Sequence, residues 1–183
     1  TYISDASGSG GSPVVLSASQ VANIEANADV YITSANSSNP DSIRTYEGTI
    51  SGNGALKINQ GPGVSTAWLG TVQFTGNNTH SGEIAIQFGT LQVDGVWTGG
   101  GNVKVNASTT ANRPVGLAGS GQWGLGSGNS IALNGTSVNA ASLAPGTLGT
   151  IGTLTVGTDE SNSLVFGTNS VLNIDIDGAS ADQ

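Results

Sequence analysis

Short runs in which apolar and polar residues alternate, each cut off by Gly, Asn, Ser or Thr, recur along this chain and constrain its fold more than any other feature. Examples are Asp29-Val30-Tyr31-Ile32-Thr33, Ala55-Leu56-Lys57-Ile58, Thr71-Val72-Gln73-Phe74, Glu83-Ile84-Ala85-Ile86-Gln87-Phe88 and Leu91-Gln92-Val93. Later come Val103-Lys104-Val105, Ser130-Ile131-Ala132-Leu133, Thr153-Leu154-Thr155-Val156, Leu164-Val165-Phe166 and Val171-Leu172-Asn173-Ile174-Asp175-Ile176. A period of two places every apolar side chain of a strand on one face. The inward set predicted from this alternation is Leu56, Ile58, Val72, Phe74, Ile84, Ile86, Leu91, Val93, Leu154, Val156, Leu172, Ile174 and Ile176.

Strands this short fit either a sandwich or a solenoid. Asn-Gly and Asp-Gly pairs occur at Asp94-Gly95, Asn134-Gly135 and Asp177-Gly178, but seldom between two clean strands at hairpin distance. The chain instead repeats strand, Gly-containing corner, strand, on the scale of about 20 to 25 residues that a solenoid repeat uses. Helix signals are confined to Ser17–Asp29, where Ala, Gln, Val and Ile are interrupted by Asn and Ser; this window is read as a short helix or cap. The expected class is therefore all-β, a parallel β-solenoid with short rungs and Gly/Asn corners.

Composition narrows the function classes. Hydrophobic residues are 36 % and charged residues 9 % of the chain, which is unlike a highly charged disordered tail. The net charge is −8 with four Lys and Arg, too few to neutralise phosphates, so nucleic-acid binding is not expected. The absence of Cys removes disulfides and thiolate metal sites. The absence of Met means that the sequence does not begin at a start codon, consistent with a removed signal or a piece of a larger protein. No apolar run approaches the ~20 residues of a membrane-spanning helix.

Three stretches carry a resemblance. They are Gly48-Thr49-Ile50-Ser51-Gly52-Asn53-Gly54-Ala55-Leu56-Lys57-Ile58, then Val72-Gln73-Phe74-Thr75-Gly76-Asn77-Asn78-Thr79-His80-Ser81-Gly82, then Gly89-Thr90-Leu91-Gln92-Val93-Asp94-Gly95. In order and spacing they resemble the autotransporter-associated β-strand repeat of bacterial surface proteins. The sequence departs from that pattern at His80, where Tyr is usual, and at Phe74, where Leu is frequent. Ala144-Pro145-Gly146, Ile151–Val156 and Ser170–Asp177 look like the segment that commonly follows such repeats. The resemblance covers roughly residues 48–183, leaving 1–47 as unassigned N-terminal rungs or a cap. It implies a right-handed parallel β-helix and a stalk or display role outside the cell.

Candidate chemistry is sparse. His80 is the sole histidine and sits in an Asn-Asn-Thr-His-Ser-Gly corner with no adjacent acid, so it reads as a corner residue and not a general base. Asp175 and Asp177 share a strand face beside Asn173, Gly178 and Asp182, a solvated face and turn; a calcium site needs six or more oxygens in a cage. Asp159 and Glu160 read as solvated turn residues. Trp68, Trp97 and Trp123, with Tyr31 and Tyr46, are the candidate ligand contacts, as stacking platforms for sugars; the simpler role is to cover a core edge or corner. Gly8–Gly11 and Gly99–Gly101 lack a following helix and Lys, and read as turns, not phosphate loops. The cations Arg44, Lys57, Lys104 and Arg113 are dispersed, and no acid–base–cation constellation is legible.

The expectation is a non-catalytic extracellular structural module of a bacterial surface protein, with no cofactor and no metal. The rival is an adhesin binding glycan or a host protein along its flank. A solenoid cut at both ends exposes unpaired strand edges. Its expected partner is the rest of a longer chain or a second subunit end to end, a head-to-tail contact that builds a fibre.

Overall fold

The computed structural model describes residues 16–34, 39–60, 68–110, 112–147, 150–157 and 160–174. Among the described residues there are strands and no helix. The strands fall into successive sets of three. The first is β1 (Val21–Ile24), β2 (Asp29–Ile32) and β3 (Ile43–Tyr46); the second is β4 (Thr49–Gly52), β5 (Ala55–Ile58) and β6 (Thr71–Phe74). The third is β7 (Asn77–Asn78), β8 (Ile84–Ile86) and β9 (Gly89–Val93); the fourth is β10 (Val96–Gly100), β11 (Val103–Asn106) and β12 (Val115–Gly119). The fifth is β13 (Gln122–Leu125), β14 (Ser130–Asn134) and β15 (Ala141–Thr147). A two-residue strand, β16 (Thr150–Ile151), folds back antiparallel on β15 before the sixth set, β17 (Thr155–Val156), β18 (Ser163–Phe166) and β19 (Ser170–Leu172).

Each strand pairs in parallel with its counterpart in the next set, except β4 with β7. One sheet runs β2-β5-β8-β11-β14-β18, and a second runs β3-β6-β9-β12-β15 with β19 beside β15. The third face holds β1-β4 and β7-β10-β13-β17. Across the gap between β4 and β7, Thr79 N–H donates to Ile50 O at 2.9 Å and Ser81 N–H to Gly52 O at 2.8 Å. The fold is therefore all-β and built from parallel sheets.

Parallel in-register pairing stacks like on like, because the alternating pattern of one strand lies over the same pattern in the next. Val30, Leu56, Ile84, Val103, Ile131 and Leu164 form one column, and Ile32, Ile58, Ile86, Val105, Leu133 and Phe166 another. From the first set to the fifth these side chains are buried. On the outer face of the same sheet Lys57 pairs with Asp29 at 2.7 Å and Lys104 with Glu83 at 2.6 Å, so the charged alternates lie towards solvent.

Buried side-chain amides complete the pairing where corners interrupt it. Asn59, at φ 54°, accepts from Ser34 N–H at 2.7 Å and donates to Gly70 O at 2.8 Å. Asn78 accepts from Ile50 N–H at 2.9 Å, supplying part of the missing β4–β7 ladder. Asn139 accepts from Arg113 N–H at 3.0 Å and donates to Ser108 O at 2.7 Å and Thr110 O at 2.6 Å. An amide offers a donor and an acceptor on one short stem, so it can replace a peptide group in a ladder. Gly99 serves the same close stacking differently: a Cβ there would collide with the backbone of His80.

Two sequence expectations are corrected. The Ser17–Asp29 window is not a helix: it holds β1 and then a turn in which Ala28 N–H donates to Glu25 O at 3.1 Å. Asn27 at φ 63° takes the left-handed conformation that a helix interior does not use, and β1 gains a full parallel partner in β4. The inward set holds through Leu56, Ile58, Val72, Phe74, Ile84, Ile86, Leu91 and Val93. Leu154 and Val156 are half-buried at the edge of the core. Leu172 and Ile174 are exposed, at 46 % and 64 %, because no further set packs on them among the described residues. Ile176 lies outside the described residues. On either side of residue 47 the strands belong to the same sheets, with β2 and β3 continuous with the later sets.

Candidate functional site

Of the five aromatic residues singled out from the sequence, Tyr46, Trp97 and Trp123 converge inside the molecule, while Trp68 and Tyr31 do not join them. Trp97 on β10 and Trp123 on β13 are register partners and both are 0 % exposed. Phe74 meets the edge of Trp97 at a centroid distance of 5.5 Å, Tyr46 lies 5.6 Å from Phe74, and His80 meets Trp97 edge-on at 5.9 Å. Neither Trp97 nor Trp123 offers a face to solvent. Trp68 is half-buried in the segment leading into β6.

His80 is held within this stack. Its Nε2 lies 2.8 Å from Gly54 O, so Nε2 carries the proton and donates to the carbonyl. Nδ1 is buried with no partner among the described residues. Burial pushes the imidazole below its ordinary range, outweighing the Gly54 bond, and holds it neutral. Trp97 Nε1–H donates to His80 O at 3.0 Å, tying the ring to the corner. These contacts fix His80 as a packed corner residue; no carboxylate touches it among the contacts of the described residues.

A densely bonded polar group lies on the outer face of the second sheet. Gln73 Nε2–H and Gln92 Nε2–H donate to Asp94 Oδ2 at 2.7 and 2.6 Å, and Ser120 N–H donates to Asp94 Oδ1 at 2.9 Å. Thr45 Oγ1–H extends the chain to Gln73 Oε1 at 2.7 Å. Burial opposes the Asp94 charge, but the bonds from Gln73, the Ser120 backbone and Gln92 together outweigh it and hold the carboxyl below its usual range. Such a carboxylate spends its lone pairs on linking its own set to the sets before and after it, and Gln73 carries the chain on to Thr45 in the first set.

No protein-family model, curated protein or solved structure matches the chain. The chemistry of the site therefore rests on its own geometry.

Elsewhere the sequence candidates stay apart. Lys57 and Lys104 are engaged in their ion pairs, Lys57 also 5.3 Å above the Tyr31 ring, and Arg113 lies over Phe88 at 5.7 Å. Glu160 is exposed, while Asp159, Asp175, Asp177, Asp182 and the Gly8–Gly11 run lie outside the described residues. Among the described residues no three His, Cys, Asp or Glu side chains are grouped to hold a metal, and no helix is long and apolar enough to cross a membrane. Sequence reasoning did not foresee the Trp97–Trp123 stack or the Asp94 cluster. A signal for the first is present: Gly95-Val96-Trp97 recurs as Gly121-Gln122-Trp123.

Proposed function

We propose that this chain is a non-catalytic structural module, a right-handed parallel β-helix from an extracellular bacterial surface protein, serving as a stalk or display segment. One observation carries the reading. Through the first five sets every strand but β4 pairs with the strand three places on, so register partners stack in columns while many polar groups are spent on bonds between neighbouring sets. A chain built this way adds length set by set and presents a uniform flank, which is what a spacer requires. The likeness of residues 48–183 to the autotransporter-associated repeat supports the same role and the location outside the cell. In this reading its ends meet further strands, from a longer chain or a second subunit.

The experiment is a crystal structure together with a turnover screen on plant and bacterial polysaccharides. A parallel β-helix of right hand and no turnover is the expected pair of results; a left-handed or unstacked arrangement, or turnover, overturns the proposal. The rival, an adhesin that binds glycan along its flank, draws on exposed aromatic edges. With Trp97 and Trp123 in the core, its aromatic contacts reduce to Trp68 and Tyr31. A glycan array separates the two readings, with no bound glycan expected for the structural module.

A further inference from the structure

Among the described residues the third face is interrupted at one place, between the second and third sets, where β4 and β7 do not belong to one sheet. Three bonds hold that seam: Thr79 N–H to Ile50 O at 2.9 Å, Ser81 N–H to Gly52 O at 2.8 Å, and Ile50 N–H to Asn78 Oδ1 at 2.9 Å. On the other two faces the same sets are fully laddered. Leu56, Lys57 and Ile58 of β5 pair with Ile84, Ala85 and Ile86 of β8, and all four residues of β6 pair into β9. His80 stands in the weak seam. Its Nε2–H reaches back to Gly54 O, and its own carbonyl accepts the Trp97 indole N–H from the next set. One residue thus ties its corner to the sets on both sides.

The imidazole is fully enclosed. A Cβ at Gly82 would lie 2.0 Å from Gly54 O, so the corner packs closely on the set before it. Nδ1 has no hydrogen-bond partner in this enclosure. In the neutral ring that atom is an acceptor left without a bond; in the imidazolium it would be a buried donor bearing charge, which is far more costly. No charged group faces it. The corner before it is Gly52-Asn53-Gly54, and the one after it is Gly99-Gly100-Gly101-Asn102. Glu83 in its own set pairs with Lys104, and Asp29 with Lys57, all on the outer face of the first sheet. Glu25 is exposed, and Asp94 is held by Gln73 and Gln92 on the outer face of the second sheet. Tyr46, beyond Phe74, is kept protonated by its own burial. Burial and the Gly54 bond alone set the protonation of the ring.

We propose that the corner of residues 79–82 is an acid-operated flap: when His80 takes a proton at Nδ1 it leaves the core, and the corner swings away from β4 and Trp97 while the first and second sheets stay paired. The proton adds to the Nδ1 lone pair of the neutral ring, and only hydrogen bonds break. Opening gives up the bonds of Thr79, Ser81 and the His80 ring to the second set and that of Trp97 to the His80 carbonyl. In return both N–H groups of the imidazolium reach water. The open corner uncovers the edge of Trp97 and the acceptors Ile50 O and Gly52 O, which changes the surface of the third face without unfolding the stack. Because the open state holds one more proton, the opening constant rises by up to about tenfold per unit as pH falls below ~6.5, and levels off at the folded-state pKa. The flap stands on this packing and not on the structural role proposed above.

Amide hydrogen exchange, read by NMR on the full 183-residue chain at pH 7.0 and 5.5 and corrected for the intrinsic rates, is the test. Protection at Thr79 and Ser81 should fall by about three- to eightfold between the two pH values, the range for one group with an open-state pKa of ~6.5. Leu56 N–H, bonded to Glu83 O, and Thr90 N–H, bonded to Gly70 O, join the same two sets on the other faces, and their protection should hold. In His80→Gln, which keeps a side-chain donor and does not titrate, the pH dependence at Thr79 and Ser81 should vanish. Should that variant fail to fold by circular dichroism, His80→Phe replaces it, and the comparison of the four amides in the native chain decides by itself. Three results overturn the proposal: protection at Thr79 and Ser81 that does not change with pH, an equal fall at all four amides, which is unfolding of the whole stack, or the native pH dependence persisting in a folded His80 variant.

Discussion

Trp97 and Trp123 lie face to face with ring centroids 5.2 Å apart and planes within 10° of parallel. They are paired residues of adjacent parallel strands, so the register that aligns the backbones also aligns the rings. Their difference lies at the indole nitrogen. Trp97 Nε1–H reaches His80 O, whereas Trp123 Nε1 has no partner among the described residues.

That difference yields a paired test. Replacing either ring by Ala should cost about 3–5 kcal/mol, the usual loss for a buried large aromatic. Phe substitutions should separate them. Trp97→Phe removes a buried donor from a carbonyl and should cost about 1–3 kcal/mol more than Trp123→Phe, which sacrifices no hydrogen bond. Denaturant unfolding of the two variants side by side is the measurement, and equal losses would refute the assignment of the indole bond.

Ile86 and Ile174 both sit in alternating runs, and the structure gives them opposite environments: 0 % and 64 % exposed. Ile86→Asp places an unpaired charge in the core and should destabilise by on the order of 4 kcal/mol or more. Ile174→Asp should change monomer stability by no more than about 0.5 kcal/mol. Melting temperatures recorded in dilute solution check both.

His80 makes stability fall on mild acidification. Its folded-state pKa lies below the ordinary 6.5, because burial penalises the imidazolium. The unfolded chain therefore binds the proton more readily. Stability from this group is fully present above the unfolded value and is lost as pH falls from about 6.5 to the folded-state pKa, below which the loss levels off. A Tm profile from pH 7.5 to 5 should slope downward in the native chain and flatten over that window in His80→Phe.

Asp94 acts at lower pH by the same logic. Its pKa is depressed from 3.8, so its contribution is present above that value and is lost as pH falls through the folded-state pKa. At pH 7 Asp94→Asn should cost about 1 kcal/mol, a modest figure because the group is only partly buried. The gap between native and variant should close below pH 3.8. A gap that persists into acid would show that the carboxylate charge is not what the Gln73 and Gln92 amides recognise.

Strand identity and side-chain facing were legible in the residues themselves, because alternation is a property of the local backbone: Leu56, Ile58, Ile84 and Ile86 point inward wherever their strand is placed. The all-β class followed from the same pattern. The Ser17–Asp29 window misled because its helix formers are weak beside the parallel partner that β4 provides for β1. Pairing was hidden because the spacing between partners varies. Leu56 meets Ile84, 28 positions on, whereas Ile84 meets Val103, 19 positions on. A ladder demands register but tolerates corners of any length, so no fixed period survives in the sequence. Burial also depends on neighbours distant in the chain. Trp123 is enclosed because Trp97 covers it, and Leu172 is exposed because among the described residues no set follows its own. Alternation decided which face of each strand is apolar, and the tertiary stacking decided which of those faces water still reaches.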